Sequence, residues 1–185
     1  MLVHHSFPSF TRSLYATVGA MNYRMATDED LTQLAELRWD FRMEGDDELP
    51  AVSKAMFVEA CVSFLKRGME SSYHIYWLAE EGGEIASHIF IHKIDMVPRP
   101  CKIHDQFGYI TNNYTRPIYR SKGIGSELMK RVIAWAKAED LELLIVYPSE
   151  RAVTFYRRAG FYSENDVMEL RLREYYSPSW SKDNA

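Results

Sequence analysis

The stretch YRSKGIGSEL, residues 119–128, sets two glycines and two basic residues at the doorway of a strongly amphipathic helix. Upstream lies the extended, polar FGYITNNYT of residues 107–115. Pro117 forbids a helix between the two, because the residue before a proline is pushed out of the helical region. Downstream, Ile124, Leu128, Val132, Trp135 and Ala136 recur on one face as far as Glu139. The run LELLIVY, residues 141–147, is then of the kind buried on both faces of a sheet. Pro148 and Ser149 open a shorter helix, which Gly160 stops. A strand covered on both faces needs helices on both sides, so this segment demands a layered α/β sheet.

The rest of the chain supplies the remaining layers. Residues 22–26 read as a short strand, and Thr27 with Asp30 makes a capping-box-like entry to a helix carrying Leu31, Leu34, Ala35 and Leu37. A polar stretch over 44–50 ends it. A second helix is predicted over 52–66, with Ala55, Met56, Val58, Ala60 and Val62 on its buried side and Gly68 just past its end. Residues 73–79 and 85–94 read as a hairpin around a glycine-containing turn, and 161–172 as a closing strand. The predicted order is strand, two helices, three strands, helix, strand, helix, strand. Residues 1–20 read as an accessory arm, 21–172 as the domain and 173–185 as a tail.

Composition narrows the function. A formal net charge of −4 argues against non-specific nucleic-acid binding, which needs a basic surface. No apolar run approaches the ~20 residues that cross a bilayer, so no membrane partner is expected. Two cysteines, Cys61 and Cys101, are too few for a disulfide framework and suit a reducing compartment such as the cytoplasm.

Two nucleotide motifs could explain the glycines, and both fail. In a Walker loop the lysine follows the glycines, whereas Lys122 precedes them; a dinucleotide fingerprint needs Gly or Ala where Leu128 stands. What remains is Arg120-x-x-Gly123-x-Gly125 opening a helix. The first amides of a helix lack internal partners and carry partial positive charge. Two missing side chains would let an anion reach them, with Arg120 and Lys122 adding charge, as in a pyrophosphate cradle. A helix start that needs small residues to pack on the sheet accounts for the same glycines.

The segment PIYRSKGIGSEL, residues 117–128, resembles the acetyl-coenzyme A signature of the GNAT superfamily of N-acetyltransferases, Arg/Gln-x-x-Gly-x-Gly/Ala. SERAVTFYRRAGF, residues 149–161, is similar to the family's second element, Asn-x-x-Ala-x-x-Leu-Tyr-x-x-x-Gly-Phe. The resemblance implies the GNAT acyl-CoA N-acyltransferase fold, a mixed, mostly antiparallel twisted sheet with helices on both faces. It implies acetyl-CoA as co-substrate, no metal, a small-molecule or peptide amine as acceptor, and a homodimer as one common assembly.

Carried over residue by residue, Asn113 and Thr115 would offer backbone groups to the pantetheine arm. Arg120, Lys122, Gly123, Ile124, Gly125 and Ser126 would hold the pyrophosphate. Ser149 replaces the usual Asn; its hydroxyl can cap the helix, while a contact to the cofactor is less expected. Tyr156 occupies the position of the general acid, and its phenol is matched to a leaving thiolate. The strand position where many relatives carry a carboxylate holds Thr111, Asn112 and Asn113, none able to take a proton. Glu44, with Asp46, Asp47 and Glu48, is then the candidate base and an attractor for a cationic amine, or a solvated acidic loop. His88 and His92 share a face, as a base or as sheet histidines without a third metal ligand. Trp39, Tyr76, Tyr109 and Tyr114 are candidates for lining the acceptor pocket. The expected activity is direct acetyl transfer to a primary amine; a module that binds an acyl-CoA without turnover, and a donor other than acetyl, are the other readings.

Overall fold

A computed structural model describes residues 20–44 and 50–163 of the chain. The expected arm up to residue 19, the acidic positions Asp46, Asp47 and Glu48, residues 164–172 of the expected closing strand and the tail lie outside the described residues.

The elements follow in the order β1 (Asn22–Met25), α1 (Leu31–Met43), α2 (Lys54–Glu70), β2 (His74–Glu81), β3 (Glu84–Asp95), β4 (Gln106–Thr115), α3 (Ile124–Ala138), β5 (Leu144–Val146) and α4 (Glu150–Arg158). The five strands lie side by side in sequence order, antiparallel except for the parallel pair β4–β5. Helices α1 and α2 cover one face through a cluster of Leu31, Leu34, Leu37, Leu65, Leu78 and Phe90. On the other face α3 and α4 pack around Ile89, Ile91, Ile110, Leu128, Met129, Val132 and Tyr156. The sheet is thus a filled three-layer sandwich, as the predicted order requires.

Local chemistry accounts for the joints. The Thr27 amide donates to Asp30 Oδ2 at 2.7 Å, closing the entry to α1, and Arg24 grips the same carboxylate at 2.7 and 2.8 Å. Gly82 and Gly83, with φ of 60° and 86°, make the β2–β3 turn that side chains would strain.

Three expectations change. The buried stripe of α2 runs through Val58, Cys61, Val62, Leu65 and Met69, at helical spacing; Ala55, Met56 and Ala60 fall off it and are exposed. Gly68 lies inside α2, which runs on to Glu70. Here the helix crosses β2 so closely that a Cβ would stand 2.4 Å from the Tyr76 hydroxyl. The run 141–147 is not buried on both faces: only Leu144–Val146 is strand, half-buried at the edge of the described sheet, with Leu143 exposed.

Candidate functional site

Strands β4 and β5 travel together only briefly. Their register covers Gly108 with Leu144, Tyr109 with Ile145 and Ile110 with Val146. Beyond Ile110 the remaining stretch of β4 stays with β3 alone, and the two strands part. A bulge sits at the parting. On β3 the partners step from Phe90↔Asn112 to Ile91↔Ile110, leaving Thr111 without an opposite residue. Such a bulge re-aims the side chains after it. Ile110 accordingly belongs to the α3 cluster, whereas Asn112 turns to the α1 face.

The end of β4 leads directly to the glycine doorway. Residues Pro117–Tyr119 form one turn of 3-10 helix; Ser121 (φ 61°) and Gly123 (φ 79°) then adopt left-handed backbone. Gly123 is the N-cap of α3, and the Glu127 amide donates to its carbonyl at 3.0 Å. The amides of Ile124, Gly125 and Ser126 precede that first helical bond, so they have no acceptor within the helix. A Cβ on Gly123 would meet nothing within 4 Å, whereas a Cβ on Gly125 would lie 3.1 Å from Thr115 Oγ1. Gly123 therefore serves the turn, and Gly125 the approach of α3 to β4. Together they leave an unshielded helix N-terminus at the mouth of the parting, with Lys122 Nζ 5.5 Å from the Tyr119 ring centre beside it. This geometry fits an anionic pyrophosphate.

Helix α4 begins on the other lip. Ser149 is its N-cap in extended conformation, but its hydroxyl makes no capping bond; only its carbonyl accepts, from Ala152 at 2.8 Å. The expected side-chain cap is thus corrected. Tyr156 is buried between Phe155 and Phe161, both edge-on to it at 5.1 and 5.4 Å. The Asn113 side-chain amide crosses the gap and donates to the Tyr156 hydroxyl at 3.1 Å. Burial raises the Tyr156 pKa above the usual phenol value, partly offset by that hydrogen bond.

On the α1 face a polar chain runs inward. Arg38 Nη1 donates to Asn112 Oδ1 at 2.9 Å, and Asn112 Nδ2 lies 2.8 Å from His88 Nε2. Arginine only donates, so the amide oxygen accepts and the amide nitrogen donates. His88 Nε2 is then the acceptor, and its proton sits on Nδ1, buried without a partner among the described residues. Burial, with Arg38 adding to it, depresses the His88 pKa to about 3. His88 is thereby a neutral sheet histidine, enclosed by Phe90 and Tyr114. His92 stacks on His74, ring centres 4.3 Å apart.

Glu44, the C-cap of α1, is held bidentately by Arg120 at 2.5 and 2.6 Å. Those bonds, with the Arg120 charge that comes with them, keep its carboxyl below the ordinary range. Arg120 Nε donates to the Thr115 carbonyl at 2.9 Å, and its guanidinium lies over the Tyr114 ring at 5.5 Å. Of the aromatic candidates, Tyr76 is core, donating to the Leu65 carbonyl at 3.2 Å. Tyr114 is also buried, under Phe41. Trp39 meets Phe57, and Tyr109 meets Tyr147 just past the parting; both candidates are half-buried.

A cavity of about 620 Å³ opens elsewhere, at the far ends of β3, β4 and α3. Its acids are already engaged: Asp95 by Tyr73 and Gln106, Asp105 by Arg99 and Lys102, Asp140 by Lys102 and Glu139 by Lys93.

A parted parallel strand pair with an open helix N-terminus at its mouth is a cleft that suits an extended ligand bearing a phosphate. The model of the Acetyltransferase (GNAT) family matches residues 31–161, and the chain belongs to that family. It is similar to a predicted acetyltransferase from Clostridium acetobutylicum solved with acetyl-CoA (25% identity, TM-score 0.70, covering 85% of this chain and 99% of that one). It is also similar to a GCN5-related N-acetyltransferase from Ralstonia eutropha JMP134 (26%, TM-score 0.63, covering 82% and 98%). Glucosamine-6-phosphate N-acetyltransferase from Arabidopsis thaliana shares the fold at 16% identity (TM-score 0.59, covering 83% and 99%). No curated protein matches the chain.

Proposed function

We propose that the protein is an acetyl-CoA-dependent N-acetyltransferase, moving an acetyl group to a primary amine by direct attack. The observation that carries this reading is the β4–β5 parting, with the α3 amides at its mouth and the Asn113–Tyr156 pair across it. The relative solved with acetyl-CoA supports the choice of donor.

In this reading the amides of Gly123 to Ser126 and the Lys122 ammonium hold the pyrophosphate, while backbone groups of Asn113 and Thr115 take the pantetheine arm. Acetyl-CoA supplies the thioester. A neutral amine nitrogen bonds to the thioester carbonyl carbon, a backbone donor of the unpaired β4 stretch stabilises the oxyanion, and the carbon–sulfur bond breaks. Asn113 donates to the Tyr156 oxygen, so the phenol hydrogen points elsewhere, free to pass to the leaving thiolate. The proton lost by nitrogen leaves to water. Both Glu44 oxygens accept from Arg120, which weakens Glu44 as a base; we assign it to shaping the site. Ser149, with no capping bond, is assigned to the cofactor's side of α4.

One observation favours a second reading, an acyl-CoA-binding module without turnover. The strand position for a carboxylate base holds Asn112, whose amide is taken up between Arg38 and His88. A thiol-release assay over a panel of amines, with Tyr156→Phe alongside, separates the two. Release from at least one amine, lost in Tyr156→Phe, supports the enzyme; tight acetyl-CoA binding with no release from any amine supports the module.

A further inference from the structure

Ser87 on β3 and Thr115 on β4 stand directly opposite each other, and Ser87 is fully buried. The Ser87 hydroxyl donates to the Tyr114 carbonyl at 3.0 Å and lies 2.8 Å from Thr115 Oγ1. A hydroxyl has one proton to give and lone pairs to receive with. With the serine proton on the Tyr114 carbonyl, the second contact uses the threonine's proton, donated to Ser87 Oγ. The opposite order would leave the Tyr114 contact without a proton, and buried polar groups keep their partners. Thr115 Oγ1 is thereby held as an acceptor, with its lone pairs turned away from Ser87.

The neighbouring glycine shows what those lone pairs face. The point where a Cβ on Gly125 would stand lies 3.1 Å from Thr115 Oγ1 and 3.7 Å from the Phe155 ring. The hydroxyl oxygen therefore borders a gap between the end of β4, the first turn of α3 and α4, at the mouth of the β4–β5 parting. Among the described residues no group but Ser87 hydrogen-bonds to it. The backbone carbonyl of Thr115 already accepts from Arg120 Nε at 2.9 Å. The acceptor that residue 115 keeps for a ligand is thus its side chain. An oxygen that only accepts repels phosphate oxygens and selects an N–H donor. In an acyl-CoA the part that reaches into the parting, the pantetheine arm, carries amide N–H groups.

We propose that the Thr115 side-chain oxygen binds an amide N–H of the pantetheine arm, and that Ser87 is the positioning residue that keeps it an acceptor. The proposal rests on the acetyl-CoA reading and deepens it, because the arm is then held by a side chain as well as by backbone groups of β4. Ser87 touches no ligand atom and acts through the proton it takes from Thr115.

The test is calorimetry on the full chain with two ligands: acetyl-CoA, and the phosphoadenosine diphosphate half of coenzyme A, which has no arm. Thr115→Val keeps the shape of the side chain and removes the oxygen. The acetyl-CoA dissociation constant should rise about fivefold, with that of the half-ligand within about twofold of the parent. Thr115→Ser keeps the hydroxyl and should hold acetyl-CoA affinity within about twofold of the parent, a rescue that a packing defect would not give. Ser87→Ala frees the Thr115 proton to turn toward the ligand, and should weaken acetyl-CoA alone, by about twofold to fivefold. With coenzyme A analogues in which each arm amide is replaced in turn by an ester, one analogue should bind the parent and Thr115→Val alike. A full difference with every analogue would overturn the proposal. So would equal losses for both ligands in Thr115→Val, since the hydroxyl would then serve the phosphates or the packing of α3. A parent that binds no acetyl-CoA removes the cofactor reading and the proposal together. A parent that binds it with an affinity indifferent to Thr115→Val removes the hydroxyl's role alone.

Discussion

The Asn113 side chain on β4 donates its amide to the Tyr156 hydroxyl on α4 at 3.1 Å, bridging the two strand–helix units exactly where their strands have parted. The bond fixes which way the phenol hydrogen can point. Burial holds the pKa of Tyr156 above the usual phenol value, so the hydroxyl stays protonated throughout the neutral range.

Tyr156→Phe removes the hydroxyl and keeps the ring between Phe155 and Phe161. The expected loss in kcat is about 10²–10⁴-fold, with acetyl-CoA affinity nearly unchanged. Stability falls by about 1 kcal/mol, because the Asn113 amide loses its acceptor. Steady-state kinetics beside calorimetry checks the split; an equal loss in binding would mean that Tyr156 only shapes the cleft.

The two doorway glycines should fail differently. Gly123→Ala introduces no clash but places a side chain at φ 79°, costing about 1–2 kcal/mol of strain. Gly125→Ala pushes a Cβ to 3.1 Å from Thr115 Oγ1, so α3 must shift away from β4. Denaturant unfolding should show a cost of about 1–3 kcal/mol for that overpacking. Its acetyl-CoA affinity should fall more than that of Gly123→Ala, because the shift moves the cradle amides.

His88 makes stability depend on acidity. Its folded pKa of about 3 lies below the ordinary 6.5, so between those values the unfolded chain binds the proton and the folded one does not. The contribution is complete above pH 6.5 and is lost as pH falls toward 3, at up to about 1.4 kcal/mol per pH unit. His74, also lowered by burial and by His92, acts in the same direction. Urea unfolding across this window should steepen with acid, and His88→Phe should flatten the slope even though it lowers stability overall. A parent slope equal to that of His88→Phe would remove the buried neutral imidazole from the account.

Much of the fold was legible because it rests on local periodicity. The stripe from Ile124 to Ala136, the Thr27–Asp30 entry and the Gly82–Gly83 turn all act within a few residues of chain. What escaped depends on distant partners. Gly68 sits beyond an apolar stretch as a terminating glycine would, yet it is there for Tyr76 to pass beneath the helix. The Arg120–Glu44 fork joins residues 76 apart, so no local pattern announced it. The bulge at Thr111 left no mark in composition, although it turns Asn112 toward Arg38 and leaves Asn113 facing Tyr156. Tyr156 itself was visible only through resemblance, since helical spacing alone cannot tell a packing ring from a proton donor.

Gly68→Ala tests one of those long-range readings. A Cβ there would lie 2.4 Å from the Tyr76 hydroxyl and 2.9 Å from His74 Cβ, leaving no room without movement of α2 or β2. Thermal unfolding should register a loss of about 1–3 kcal/mol, against the small gain of an ordinary helical Gly→Ala change.

The most direct measurement is a calorimetric titration of acetyl-CoA into the full chain. One site per chain, with a dissociation constant on the order of micromolar and competition by free coenzyme A, is the predicted result. Absence of binding at millimolar acetyl-CoA would contradict it, and the open N-terminus of α3 would then be a packing solution and nothing more.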